Sequence, residues 1–159
     1  MKTLIIYASK YGCTEKCSNL LKDKITGEVK IVDMKRESVP DIDLFDNIII
    51  GGSIYMGKIQ KKVNEFCLKN NSTLTNKKLG FFICCMSEKD IAEKQIKTSF
   101  PEGLLSKAIA IDHFGGEFIF KKMNFLERLI IKKISKASND KSTISEENIN
   151  KFAQLINNN

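Results

Sequence analysis

The chain has 159 residues, a mass of 18.0 kDa, 42% hydrophobic content and a net charge of +7, enough to bury roughly two-thirds of its unfolded surface in one core, which excludes disordered and fibrous classes. No apolar run reaches the roughly 18 residues that a membrane span needs. Five cysteines, an odd number that includes the neighbours Cys84 and Cys85, argue against a secreted disulfide framework.

The N-terminus runs from Met1-Lys2 directly into the apolar stretch Thr3 to Ala8, without a small-residue cleavage site, so the protein is expected to be cytoplasmic with reduced thiols. Thr3 to Ala8 is the first expected strand. Glu15 to Ile25 follows as a helix, with Cys17, Leu20, Leu21, Lys24 and Ile25 at helical spacing and Thr26-Gly27 as its stop. Val29 to Val32 is the second strand, and a turn through Val39-Pro40-Asp41 leads to the third at Asn47 to Ile50. Its Ile48-Ile49-Ile50 run is continuous rather than alternating, as in a strand covered on both faces. The next helix, Lys61 to Leu68, turns Val63, Phe66 and Cys67 inward. Strand four is Leu79 to Met86, followed by a helix from Asp90 to Phe100 that Pro101 ends. Lys107 to Phe114 carries strand five. A helix over Asn124 to Ser135, a polar linker at Ser138 to Ser142 and a last helix opened by Ser145-Glu146-Glu147-Asn148 complete the chain, with the tail Asn157 to Asn159 expected to fray.

Five short apolar strands alternating with amphipathic helices predict an α/β fold of three layers, a five-stranded parallel sheet with helices on both faces. The whole chain, 1–159, reads as one domain, with an added basic amphipathic segment at about 121–136. In the strand order 2-1-3-4-5, ligands bind outside the carboxyl ends of strands one and three, where the order reverses. The loop after strand one, Ser9-Lys10-Tyr11-Gly12-Cys13-Thr14, places hydroxyls at both ends, a glycine able to take positive φ and successive amides at a helix N-terminus. That composition suits a phosphate dianion, and it equally suits a tight turn capped by Thr14. No Gly-Lys-Ser/Thr ending and no G-x-G-x-x-G is present. The loop after strand three, Gly51-Gly52-Ser53-Ile54-Tyr55-Met56-Gly57-Lys58, offers glycines and an aromatic side chain to a flat ring, with Tyr55 as the stacking candidate. Cys85, Met86, Ser87 and Glu88, after strand four, form the third wall.

A phosphate beside a planar ring describes a mononucleotide. Ile5-Ile6-Tyr7-Ala8-Ser9-Lys10-Tyr11-Gly12-Cys13-Thr14 and Ile50-Gly51-Gly52-Ser53-Ile54-Tyr55-Met56-Gly57 resemble the flavodoxin-fold FMN proteins, the type example of that strand order and switch point. Gly115-Gly116-Glu117-Phe118 and Phe125-Leu126-Glu127-Arg128-Leu129-Ile130-Ile131-Lys132 are most similar to the branch that includes menaquinone-dependent protoporphyrinogen oxidase. The resemblance implies FMN as cofactor, its phosphate held by Ser9, Lys10, Tyr11, Gly12, Cys13 and Thr14. It places the isoalloxazine between Ser53, Ile54, Tyr55, Met56 and Gly57 on one side and Met86, Ser87 and Glu88 on the other. It implies an oxidoreductase passing electrons through the flavin to a partner protein or quinone, with a pure electron carrier as the alternative. Carrier flavodoxins typically have Gly-Asn-Thr where this chain has Gly12-Cys13-Thr14 and are strongly acidic, whereas this chain is basic and has no Trp.

No side chain is singled out as a catalytic acid, base or nucleophile. Cys13 and Cys17 are spaced C-x-x-x-C rather than C-x-x-C, and Cys17, Cys84 and Cys85 read as small buried hydrophobes. A phosphatase-type loop would need an Arg that Thr14 to Lys24 lacks. With His113 the single histidine and no zinc-type cysteine spacing, no metal site is expected. Lys121 to Lys136 holds six basic residues, Lys121, Lys122, Arg128, Lys132, Lys133 and Lys136, against Glu127 alone. Met123, Leu126, Leu129, Ile130 and Ile134 share one arc of a helix there, expected to pack on the sheet, while the basic face with Phe118, Phe120 and Phe125 suits an anionic membrane or a redox partner. That would place the protein peripherally at the inner membrane face. Without a base-stacking array or reading helix, nucleic acid is not expected as a partner.

Overall fold

The computed structural model describes residues 1–135 and 139–159; the expectations for Lys136, for Ser138 at the start of the polar linker and for the side chain of residue 134 lie outside the described residues. The central strands are β1 (Lys2–Ala8), β2 (Glu28–Asp33), β3 (Asn47–Tyr55), β5 (Lys78–Cys84) and β6 (Ala110–His113), all parallel in the order β2-β1-β3-β5-β6. This is the expected order of the five core strands. A sixth, β4 (Lys58–Ile59), pairs antiparallel with the end of β3, and a separate two-stranded ribbon joins β7 (Glu117–Phe118) to β8 (Lys141–Ser142).

Alternation along the strands divides the core into two layers. Leu4, Ile6, Ile48, Ile50, Leu79, Phe81 and Ile83 face α2 (Lys61–Lys69), α4 (Lys89–Ser99) and α5 (Glu102–Leu105), from which Val63, Cys67, Ala92, Ile96 and Leu104 come inward. Ile5, Ile49, Phe82 and Cys84 face α1 (Cys13–Lys22) and α7 (Glu146–Asn157), which contribute Cys17, Leu21, Ile149, Phe152 and Ile156. A short α3 (Asn71–Leu74) links α2 to β5, and α6 (Phe125–Ser135) follows the ribbon strand β7.

Three expectations are corrected. The segment after Ile50 is not an open loop: β3 continues to Tyr55 and returns through a two-residue turn, Met56 and Gly57, both at positive φ (49° and 76°), a hairpin geometry whose twist matches the flanking strands. Gly51 and Gly52 are there for packing, because a Cβ on Gly51 would stand 2.1 Å from the Phe82 ring and one on Gly52 2.7 Å from Ile59. The tail is tied down: Asn157 Oδ1 accepts from the Thr26 N–H at 3.0 Å and its amide donates to the Lys24 carbonyl at 2.9 Å. Finally, the apolar arc of α6 does not pack on the sheet. Met123 is buried, but Leu126 and Leu129 are exposed, with Phe125 beside them 74% exposed.

Candidate functional site

From β1 the chain moves to β2 on one side and then to β3 on the other, so a crevice opens at the carboxyl ends of β1 and β3. Two adjoining hollows occupy it. One, of about 310 Å³, surrounds Ser9 to Gly12 and the end of β2. The other, of about 500 Å³, lies between that loop, the β3–β4 hairpin, the end of β5, β7 and α6.

The first hollow is built on the start of α1. Gly12, at φ 94°, caps the helix with no side-chain hydrogen bond, leaving the amides of Cys13, Thr14 and Glu15 without intrahelical partners at the positive end of the dipole. The Gly12 N–H donates instead to Ser9 Oγ at 2.9 Å, drawing the loop into a ring. Thr14 is fully buried and its Oγ1 has no partner. Cations surround the loop: the Lys35 ammonium donates to the Ser9 carbonyl, and Lys122 to that of Tyr11 at 3.2 Å. Lys122 Nζ sits 3.1 Å from where a Gly12 side chain would begin, so a larger residue would push it away. Arg36 is engaged by Glu15 and Asp33 at 3.1 and 3.3 Å. Uncapped amides, an orphaned buried hydroxyl and two lysines reaching over the loop fit a phosphate dianion.

The second hollow fits a flat ring, with one displacement. Gln60 holds the hairpin in register, accepting from the Ser53 N–H at 3.0 Å while its amide donates to the Ser53 hydroxyl. Lys10 Nζ lies 3.1 Å from the Tyr55 ring centroid and 2.9 Å from Glu127 Oε1, so one face of the stacking candidate already carries a cation. Burial opposes the Lys10 charge, but hydrogen bonding with Glu127, Tyr11 and Tyr55 outweighs it and raises its pKa. The facing Tyr11 hydroxyl, the Lys10 ammonium and the Asn124 N–H hold the Glu127 carboxyl at about 2, although the Tyr11 hydroxyl itself falls short of hydrogen-bond geometry. A ring stacking on that face of Tyr55 requires Lys10 to swing away.

Of the residues singled out in the sequence, Ser9, Lys10, Tyr11, Cys13, Ser53, Ile54, Tyr55, Met56, Gly57, Met86 and Ser87 line the larger hollow and Gly12 the smaller, with Thr14 buried in α1. Glu88 stands apart: it is exposed, outside the lining, and its carbonyl accepts the Ile91 and Ala92 amides of α4. His113, at the end of β6, borders a different hollow with Asp112 and Asn148. Lys35, Lys122, Ile130, Ile131 and Gly116 to Phe118 line the crevice without being among the expected residues, and Glu127 reaches it through Lys10. Lys35 had a signal, since β2 ends at the same sheet edge as β1; the others arrive through long-range folding of the β7–α6 segment. The cysteine spacing also concealed a cluster: Cys13, Cys17 and Cys84 place their sulfurs within 4.8 Å of one another, the third coming from another element.

No curated protein sequence matches the chain. Among solved structures, the rubredoxin:oxygen oxidoreductase of Desulfovibrio gigas superposes with a TM-score of 0.53 at 16% identity over 99% of this chain, which spans only 35% of that protein. Flavodoxin 1 of Bacillus cereus gives 0.54 at 16% identity, covering 98% of this chain and 94% of the other. The Fusobacterium nucleatum flavodoxin bound to flavin mononucleotide gives 0.52 at 12% identity, covering 98% and 96%. At these identities the likeness is one of fold. Residues 4–145 match the model of the Flavodoxin domain family, and the chain belongs to that family.

Proposed function

We propose that the chain binds FMN in the crevice and passes electrons through the flavin to a redox partner. The observation that carries this reading is the start of α1 at the switch point of the sheet, where the amides after Gly12 are uncapped and Lys35 and Lys122 reach over the Ser9–Tyr11 loop. A phosphate there leaves the rest of the mononucleotide directed toward the larger hollow. FMN supplies one- and two-electron transfer; the chain's residues position it. Lys35 and Lys122 balance the phosphate charge, Gln60 fixes the Ser53 end of the hairpin, and Ile130 and Ile131 of α6 give the hollow an apolar wall. Once Lys10 has swung off the Tyr55 face, its ammonium remains at the border of the hollow, where a positive charge favours added electron density on the ring.

The finer reading is an enzyme resembling menaquinone-dependent protoporphyrinogen oxidase, working at an anionic membrane with a lipid quinone as electron acceptor. Support comes from α6, which exposes Phe125, Leu126 and Leu129 beside Lys121, Lys132 and Lys133 while the same helix walls the hollow with Ile130 and Ile131. No helix among the described residues is long and apolar enough to cross a membrane, so contact would be lateral.

Titrating the purified protein with FMN tests the first reading: flavin fluorescence should be quenched to a one-to-one end point, and an unquenched flavin overturns it. Steady reduction of a naphthoquinone, together with salt-sensitive sedimentation on anionic vesicles, supports the finer reading. Electron transfer confined to protein partners, without vesicle binding, supports the carrier.

A further inference from the structure

Cys13 is the first residue of α1, Cys17 follows one turn later on the same face, and Cys84 ends β5 on the side of the sheet that α1 covers. All three are buried thiols, their sulfurs lie within 4.8 Å of one another, and the group contains neither histidine nor carboxylate. We propose that these three thiols form a binding site for a soft monovalent cation, copper(I).

Three properties of the cluster select that ion. The donors are sulfur only, the set that soft d10 cations prefer over oxygen and nitrogen ligands. There are three of them, which satisfies copper(I) in a plane; a structural zinc site needs a fourth ligand, and none of the group supplies one. A metal–sulfur bond of about 2.3 Å places three coplanar sulfurs about 4.0 Å apart, so the cluster needs only a slight contraction. Each cysteine binds such an ion as its thiolate, so the thiol protons leave as the ion enters.

Surroundings and access agree. Ile5, Phe82 and Phe114 belong to the same apolar layer, which disfavours the hydrated copper(II) state. Cys13 and Cys84 both border the larger hollow, so an ion reaches the sulfurs from the crevice. Binding is coordination without change of oxidation state, and any thiol proton released passes to solvent.

The test uses the flavin-free, fully reduced chain under anaerobic conditions, titrated with copper(I) against a chromogenic copper(I) chelator. One equivalent should be withdrawn from the chelator, with an ultraviolet sulfur-to-copper charge-transfer band ending at that equivalent and X-ray absorption showing three sulfur neighbours. Cys84→Ser should weaken binding by at least about 100-fold, since even outer-shell partners cost about 10–100-fold. The Cys67→Ser/Cys85→Ser double variant should bind as the parent does. Should Cys84→Ser not fold by circular dichroism, the X-ray absorption of the unmutated chain decides alone. Failure to compete with the chelator, equal affinity of Cys84→Ser, loss of binding in the double variant, or tighter one-equivalent binding of zinc overturns the proposal. FMN titration of the same preparation is a separate readout, so failure of the copper site leaves the flavin reading standing, and the reverse.

Discussion

Gly51→Ala separates two explanations of the glycine pair at the end of β3. Gly51 sits between Tyr7 of β1 and Phe82 of β5, and an added Cβ would approach the Phe82 ring to 2.1 Å. That ring has nowhere to go. It is stacked on Phe114 at 4.5 Å and set edge-on to Phe152 at 6.3 Å, and all three are almost fully buried. Overpacking of this kind costs about 1–3 kcal/mol, and a contact this short belongs at the upper end. The gain from a less flexible unfolded chain returns about 0.4–1 kcal/mol. The net loss is about 2 kcal/mol, which for a chain of this length lowers Tm by about 4–8 °C. Urea unfolding followed by circular dichroism measures it. In a Phe82→Leu background the clash disappears, so Gly51→Ala should be close to neutral there, a coupling of about 2 kcal/mol. If Gly51→Ala instead stays within about 0.5 kcal/mol of the parent while flavin binding is lost, the glycine serves the approach of a ring rather than the core, and the packing argument fails.

The ion pair between Lys10 and Glu127 has a pH signature. Glu127 is depressed in the folded chain to about 2 from its ordinary 4.5, so its contribution is present above about 4.5 and lost as pH falls toward 2; a stability profile should show this loss in the parent and not in Glu127→Gln, and identical profiles would refute it. At the phosphate loop, Lys122→Met should weaken FMN binding about tenfold, the worth of one charge-assisted contact, and flatten its salt dependence. Unchanged affinity and slope would remove Lys122 from the site.

The fold was legible because its signals are local. Ile48-Ile49-Ile50 and Leu79 to Cys84 are continuous apolar runs that make sense only in doubly covered strands, and Ser145 accepts the Asn148 N–H at 3.2 Å as its position before the last helix implies. Local reading ends strand three at Ile50 and gives Gly51 and Gly52 to a ligand loop, whereas here each glycine makes room for a side chain from another element, Phe82 or Ile59. No window along the sequence contains that information. The tail follows the same logic: Asn157 looks like a fraying end until its partners, Thr26 and Lys24, are brought beside it from the start of the chain.

The site divides along the same line. Ser9 to Thr14 were visible because a turn and a helix N-terminus are local objects, and β2 ends at the same sheet edge, which made Lys35 recoverable. The contribution of α6 was not. Its amphipathic arc implied a helix lying apolar side down on the sheet, but a competing set of contacts wins: Glu127 exchanges hydrogen bonds with Asn124 at 3.1 and 2.9 Å, closing a capping box, and reaches Lys10 at 2.9 Å. With Glu127 side-chain exposure at 15%, that face of the helix is turned to the crevice. Because residues 3 and 4 apart share a helix face, Ile131 and the partly exposed Ile130 follow it to the hollow, and Phe125, Leu126 and Leu129 are left outward. The same helix, tied to Lys10 through Glu127, carries both the wall of the hollow and the exposed apolar patch. The two should change together: a substitution that frees α6 from Lys10 has to alter access to the hollow and the outward face of the helix at once.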